Sequence, residues 1–350
     1  MLSYYAFLPL LGLLSLIESY IPLRTRSRLA LSFAVCLGLF AGMRAVGIDN
    51  DSATYNYVFD YVSNADFKAL LDERQETSQE PGYLFFLKSL YNLGFAYTGT
   101  QLLLNILSGA MLGALLVRTS NRPVLGLLLY YFLFYYFRDF TQIRFCAASI
   151  IALWALYFWF VRNRYRLSTV LFAVAVSLHN SAIITVLPVL LNHFRVSESL
   201  PRILLLAVLA VAASFLKVTT TILAAVFNLP EQILRYLDLD DGSSAGMMSI
   251  FLGLIVAVAV LMRGRKDERG HQFVFYTLFS SFMAGMIFSD LTILLRMQLL
   301  LFTAIIVAPH YLQDLYGRLL IALVCAGALY IHLNNINENL LRPYQMWILQ

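Results

Sequence analysis

Five stretches of this sequence carry side chains suited to holding an anion and moving a proton. The first is Arg44-Ala-Val-Gly-Ile-Asp-Asn-Asp51, followed by Tyr55. An arginine presents a planar fork that grips phosphate oxygens two at a time, and Gly47 permits a tight turn. The structural alternative is a loop in which Arg44 pairs with Asp49. The second is Glu80-Pro-Gly-Tyr83. Its carboxylate either caps the helix that follows, at the positive end of the helix dipole, or serves as a general base. The third, Arg138-Asp-Phe-Thr-Gln142-Ile-Arg144, flanks a turn with two arginines. That spacing suits a pyrophosphate; the alternative is a turn closed by a salt bridge through Asp139. The fourth is His179-Asn180-Ser181, a side chain that titrates near neutral pH between hydrogen-bonding neighbours at a helix break. The fifth is Asp290 with Arg296, an arginine more than one turn into an apolar helix, where a charge costs at least ~2.5 kcal/mol.

Together these residues describe a site for an amphiphile with an anionic head, a lipid phosphate or pyrophosphate. Arg44, Arg138, Arg144 and Arg296, with Tyr55, Gln142 and Asn180, are the expected binding groups. Arginines would also stabilise a phosphate leaving group. His179, Glu80 and Asp49 are the candidates for catalysis, and the residues leave open which one takes the proton from an attacking sugar hydroxyl. No cluster demands a metal, although Asp49-Asn50-Asp51 has the chemistry to bind one. Lys217 and His332 rank lower.

The elements that must position these groups are membrane helices. The chain is 60% hydrophobic and 13% charged over 350 residues, with mean hydropathy +0.73. Soluble domains carry about one-quarter charged residues, so lipid must solvate most of this chain. The three cysteines, Cys36, Cys146 and Cys325, sit in apolar segments and read as small hydrophobes. No basic run with interleaved aromatics points to nucleic acid. The first apolar run, Tyr4 to Ile17, lacks a basic leader and a small-residue exit, and reads as an uncleaved first helix.

A span needs roughly 20 apolar residues, and the pattern predicts about twelve: 3–21, 29–43, 99–117, 122–137, 144–161, 166–178, 182–193, 202–222, 247–262, 271–288, 292–309 and 318–333. The pair 166–193 reads as a hairpin broken at His179–Ser181, with Pro188 suited to a kink. Segment 80–95 is short, with Lys88 in its middle. If it does not span, the basic turns at 24–28, 118–122, 162–166, 195–202, 263–269 and 318 all share one side, as the positive-inside rule requires. It is therefore expected to be an interfacial or re-entrant helix. Both ends of the chain, the acidic loops 44–79 and 229–246 and all five stretches then face outward. The chain reads as one transmembrane domain, 1–350, all-α and polytopic. Its tail, 334–350, reads as an interfacial anchor.

These motifs in this order resemble the EpsG-like family of Wzy-type bacterial polysaccharide polymerases. The matching residues are Arg44, Gly47, Asp49 and Tyr55; Glu80 to Tyr83; Ile143 and Arg144 with Ala147; and Ala175 with His179, Ser181 and Ala182. Phe145-Cys146 stands where the family usually shows a polar residue, and Asn180 where a lysine or arginine is common. The resemblance implies a membrane glycosyltransferase of O-antigen or exopolysaccharide synthesis with a GT-C-like fold, needing no metal and no cofactor. It implies transfer of a growing glycan from undecaprenyl pyrophosphate to a hydroxyl of a lipid-linked repeat unit, on the periplasmic or outer face of the bacterial cytoplasmic (inner) membrane. A chain-length regulator is an expected partner.

Two other classes compete. A transporter or flippase of the lipid-linked oligosaccharide would spread charge along a path and often carry repeats; here the unusual charges gather at one face. A membrane acyltransferase acting on a glycan would recruit a cytoplasmic donor, for which His193, His271 and His310 are the available residues.

Overall fold

A computed structural model describes residues 2–72, 79–217, 219, 244–263, 268–289, 291, 294–337 and 341–347. Asp290 and most of the loop 229–246 lie outside the described residues. Within them the chain is all-helical, with two isolated antiparallel bridges and no strand. Helix is the expected outcome for so apolar a sequence, since in lipid every backbone group must find its partner inside its own segment.

The helices are α1 (Leu8–Ile17), α2 (Leu23–Gly42), α3 (Ser52–Asn64), α4 (Pro81–Asn92), α5 (Tyr97–Thr119), α6 (Pro123–Tyr130), α7 (Ile143–Phe160), α8 (Tyr165–Leu178), α9 (Val186–His193), α10 (Leu200–Phe215), α11 (Ser244–Arg263), α12 (Arg269–Ile287), α13 (Leu295–Phe302) and α14 (Leu315–Asn337). A wider-turned helix, Tyr131–Thr141, continues α6 without a break. Among the described residues, three helical stretches are long and apolar enough to cross a membrane: Tyr97–Thr119, Ile143–Phe160 and Leu315–Leu333. Five shorter apolar helices accompany them: Tyr165–Leu178, Asn180–His193, Leu200–Phe215, Ile250–Leu261 and Leu295–His310. Helix α7 is the central one, 78% buried against 28% for the peripheral stretch of α14.

Two local features set the site. The first is a small-residue seam between α2 and α5. A Cβ on Gly38 would strike the Asn105 carbonyl, and one on Gly109 the Ala34 carbonyl. Small residues let the two backbones approach this closely, as they do between membrane helices. The seam fixes the end of α2, and with it Arg44. The second is the break at His179. Helix α8 ends at Leu178, His179 takes an extended conformation (φ −157°, ψ 118°), and a tight 3-10 turn Asn180–Thr185 leads into α9. The sequence predicted this break, with Pro188 in the second half of the hairpin. Segment 80–95 forms a single 12-residue helix, α4, too short to cross the roughly 30 Å of hydrocarbon.

The described part of the tail is paired with the rest of the chain. Residues 341–347 run antiparallel to the loop after α2: Ala45 N–H donates to the Gln345 carbonyl at 2.8 Å, Arg342 N–H to the Ile48 carbonyl at 2.8 Å and Trp347 N–H to the Met43 carbonyl at 3.1 Å. Tyr344 stacks on Phe40, centroids 4.2 Å apart, and its hydroxyl donates to the Phe40 carbonyl at 2.7 Å. Tyr4, ahead of α1, donates its hydroxyl to the Arg342 carbonyl at 2.6 Å.

Candidate functional site

The five stretches separate into two environments. Arg44 and Asp49 form a latch. Arg44 is fully buried, and its Nε donates to Asp49 Oδ2 at 2.8 Å. Its other nitrogens donate to the Ala41 carbonyl at 2.7 Å and to the Phe140 carbonyl. Asp49 Oδ1 accepts the backbone N–H groups of Asp51 at 3.0 Å and Ser52 at 2.8 Å. These are the orphan donors at the start of α3. Gly47, at φ 87°, turns its N–H onto Ser52 Oγ at 2.8 Å. The bland alternative for this stretch is the one the geometry realises: the pair holds the loop, and each of its charged atoms is engaged within the protein.

Arg138 is also enclosed. It is 1% exposed and donates to Thr303 Oγ1 at 2.5 Å and to the Leu299 carbonyl, with Phe134 and Phe145 facing its guanidinium at 4.2 and 5.0 Å. Its neighbour Asp139 accepts from the Tyr130 hydroxyl at 2.7 Å rather than closing the turn onto Arg138. Gln142 sits at the start of α7, its carbonyl accepting the Cys146 N–H at 2.8 Å, its side-chain Oε1 buried without a partner among the described residues. Arg138 and Arg144 thus point into different surroundings and do not bracket one turn.

Glu80, Arg144, His179 and Asn180 come together. Glu80 stands at the N-cap position of α4, but no capping bond forms from its side chain. Its Oε2 pairs with Arg144, and its Oε1 accepts the Asn180 N–H at 3.0 Å. Pro81 and Gly82 make this possible. Proline suits the first helical turn, and Gly82 lies so close to α8 that a Cβ there would strike Ser177. The start of α4 is thereby pressed against the end of α8, bringing position 80 to position 180.

Arg144 is flanked by aromatic rings, Tyr83 at 5.1 Å and Tyr55 at 5.6 Å, and its Nε is buried without a hydrogen-bond partner among the described residues. An arginine held over aromatic faces, with a donor in reserve, is prepared for an anion. His179 Nδ1 accepts the Ser181 N–H at 3.2 Å, and Phe145 stands edge-on at 5.1 Å. Burial lowers the His179 pKa to about 4, with Glu80 opposing and the positive charges of Arg144 and Arg296 reinforcing the fall. His179 is therefore neutral near pH 7. Since Nδ1 is the acceptor, the proton of the neutral ring belongs on Nε2.

Arg296, at the start of α13, is half-buried. Its charge bears on His179 and on Asp51. Burial and the neighbouring Asp49 push the Asp51 carboxyl up, while Arg296, Arg144 and Arg44 pull it down. Arg144, on α7, and Arg296, on α13, thus both act through their charge on Asp51 and His179. Tyr83 and Gly82, read in the sequence only as parts of a motif, turn out to be the arginine's wall and the hinge of the contact.

A comparison with curated proteins and with solved structures finds no significant match. The model of the EpsG family matches residues 27–346, which takes in the latch, the Glu80–Arg144 pair, the His179 turn and Arg296. Matched over nearly its whole length, the chain belongs to the EpsG family.

Proposed function

We propose that this chain is a polysaccharide polymerase of the bacterial cytoplasmic membrane. It transfers a glycan from undecaprenyl pyrophosphate to a hydroxyl of a lipid-linked repeat unit. At the coarser level, a membrane-embedded polymerase of exopolysaccharide is what the family and the apolar helices support. The single observation that carries the finer reading is the cluster of Glu80, Arg144, Asn180 and His179, with Arg296 close enough for its charge to be felt.

In this reading the acceptor hydroxyl attacks the anomeric carbon of the donor sugar, and the bond from that carbon to the pyrophosphate oxygen breaks. The hydroxyl proton passes to Glu80, whose carboxylate has lone pairs beyond the two in use. The negative charge that grows on the leaving pyrophosphate falls to Arg144 and Arg296, which are positioned before reaction and need little reorganisation. His179 donates from Nε2–H to the same phosphates, because its Nδ1 lone pair is committed to Ser181. Asp49 is assigned to structure, because its side chain is fully buried, against 9% exposed for Glu80, and holds Arg44 and two N–H groups at the start of α3. Arg44, Arg138, Tyr55 and Gln142 then position the others rather than touch phosphate.

The positive-inside pattern supports an outward-facing cluster; in this reading it sits within a GT-C-like architecture. The test is reconstitution. Purified protein given its lipid-linked repeat unit should build a ladder of polymer lengths on a gel and release undecaprenyl pyrophosphate. Transport of the intact lipid-linked unit across the bilayer of a liposome, without any ladder, would replace this reading with the flippase.

A further inference from the structure

A cavity of about 440 Å³ opens between α3 and the turn that joins α4 to α5. That is the size of a ligand cleft, roughly 300–1,000 Å³. Its lining includes Asn56, Asp60, Tyr91, Phe95, Tyr97 and Thr98. None of these belongs to the Glu80–Arg144 cluster.

The lining has two kinds of surface. Tyr91 and Phe95 are large aromatics left 42% and 38% exposed. Tyr91 is fixed from behind: Lys88 Nζ lies 5.2 Å from its ring and donates to the Ser63 carbonyl at 3.0 Å. Phe59 meets Tyr91 edge-on at 6.2 Å and Tyr97 at 6.1 Å. Beside these rings, Asn56 Nδ2 donates to Asp60 Oδ2 at 3.4 Å, which sets an amide and a carboxylate side by side on successive turns of α3. Flat aromatic faces next to paired hydrogen-bonding groups match a pyranose ring, which has faces of C–H groups and a rim of hydroxyls. An acyl chain would have no use for Asn56 and Asp60, and Asp60 would repel a phosphate.

The cavity borders a packed aromatic cluster that extends to the neighbourhood of Arg144. Tyr97 lines the cavity, yet is 4% exposed, and its hydroxyl is buried with no hydrogen-bond partner among the described residues. Tyr97, Phe59, Tyr83 and Tyr55 pack in one cluster that reaches Ile143, the residue before Arg144. Tyr83 and Tyr55 are the rings that flank Arg144.

We propose that this cavity is a glycan-binding subsite, which holds an uncharged stretch of saccharide chain by stacking on Tyr91 and Phe95 and by hydrogen bonds to Asn56 and Asp60. The proposal rests on the glycosyltransferase reading of the neighbouring cluster and deepens it. The subsite grips sugar away from the bond being made, so that successive transfers act on a chain already held.

The probe is the free oligosaccharide released by mild acid from the lipid-linked repeat unit, titrated against the full chain in detergent and followed by saturation-transfer NMR. The wild type is expected to bind it. Tyr91→Ala and Asp60→Ala, both at exposed positions, should each weaken binding at least about fivefold. In turnover they should raise KM for the lipid-linked acceptor while leaving kcat near the wild-type value, whereas Glu80→Gln should bind the oligosaccharide normally. Wild-type affinity in both cavity variants, or no binding by the wild type, overturns the proposal. Binding that depends on Tyr91 in a protein that makes no ladder would keep the subsite and refute the polymerase.

Discussion

The carboxylate of Glu80 and the guanidinium of Arg144 form an ion pair across 64 positions of sequence, and the same carboxylate takes the backbone N–H of Asn180. The start of α4, helix α7 and the turn that follows α8 thus meet at one carboxylate. A pair in this setting is not ornament: removing either partner leaves a charge in a poorly hydrated place, which costs about 3–5 kcal/mol when the site is fully buried. The first prediction concerns the arginine. Arg144→Ala should lower turnover by about 100-fold or more, the usual cost of one donor to a developing anion. Arg144→Lys should remain far below wild type, because an ammonium keeps the charge and loses the fork. Gel-ladder assays on variants that retain a wild-type elution profile check this.

The second prediction concerns His179. Its folded pKa is about 4, below the ordinary value near 6.5, so between those values the unfolded chain takes up a proton that the folded chain refuses. Stability should therefore fall as pH drops from about 6.5 toward 4, and this part of the fall should disappear in His179→Gln. Activity should hold steady through pH 6.5. His179→Gln, whose amide can still donate, should keep more activity than His179→Ala. Equal and complete loss in both would return His179 to the role of base.

The latch gives the third. Asp49→Ala should destabilise the protein by about 3 kcal/mol, since it strands the buried Arg44 and frees two N–H groups at the start of α3. Joint replacement, Arg44→Met with Asp49→Leu, should cost less than the two single changes added together, as expected of residues in contact. Thermal melts in detergent measure both. A stable but inactive Asp49→Ala would make Asp49 catalytic instead.

Much of this was legible in the sequence, and the part that was not has a physical reason. Charges in apolar surroundings are conspicuous, so Glu80, Arg144, His179 and Arg296 stood out by type alone. The break at His179 was readable from His-Asn-Ser between apolar runs. What spacing could not reveal was which charges satisfy one another. Arg138 and Arg144 are six residues apart and look like one site, yet the helix that carries Arg138 turns it onto Thr303 and Leu299. Arg44 looked like a phosphate ligand, and it is the Phe140 and Ala41 carbonyls that occupy its fork. The pairing of 341–347 with the loop after α2 left no mark in hydropathy, because it is made by backbone groups.

Gly82 supplies the fourth prediction. An alanine there would collide with Ser177 and push the start of α4 away from α8, which would move Glu80 off Asn180. Gly82→Ala should cost about 1–3 kcal/mol, the usual range for overpacking, and lower turnover more than it lowers the melting temperature would suggest. Ser177→Gly in the same chain should recover part of the loss, because it removes the side-chain half of the collision. No recovery would place the defect elsewhere.

The most direct measurement is chain elongation coupled to pyrophosphate release by Glu80→Gln in reconstituted membranes. Glutamine keeps the volume and a hydrogen-bonding group but cannot accept the proton or neutralise Arg144. The account predicts that wild type yields a polymer ladder with one undecaprenyl pyrophosphate released per bond, and that Glu80→Gln binds the lipid-linked substrate yet yields neither. A full ladder from Glu80→Gln would contradict it.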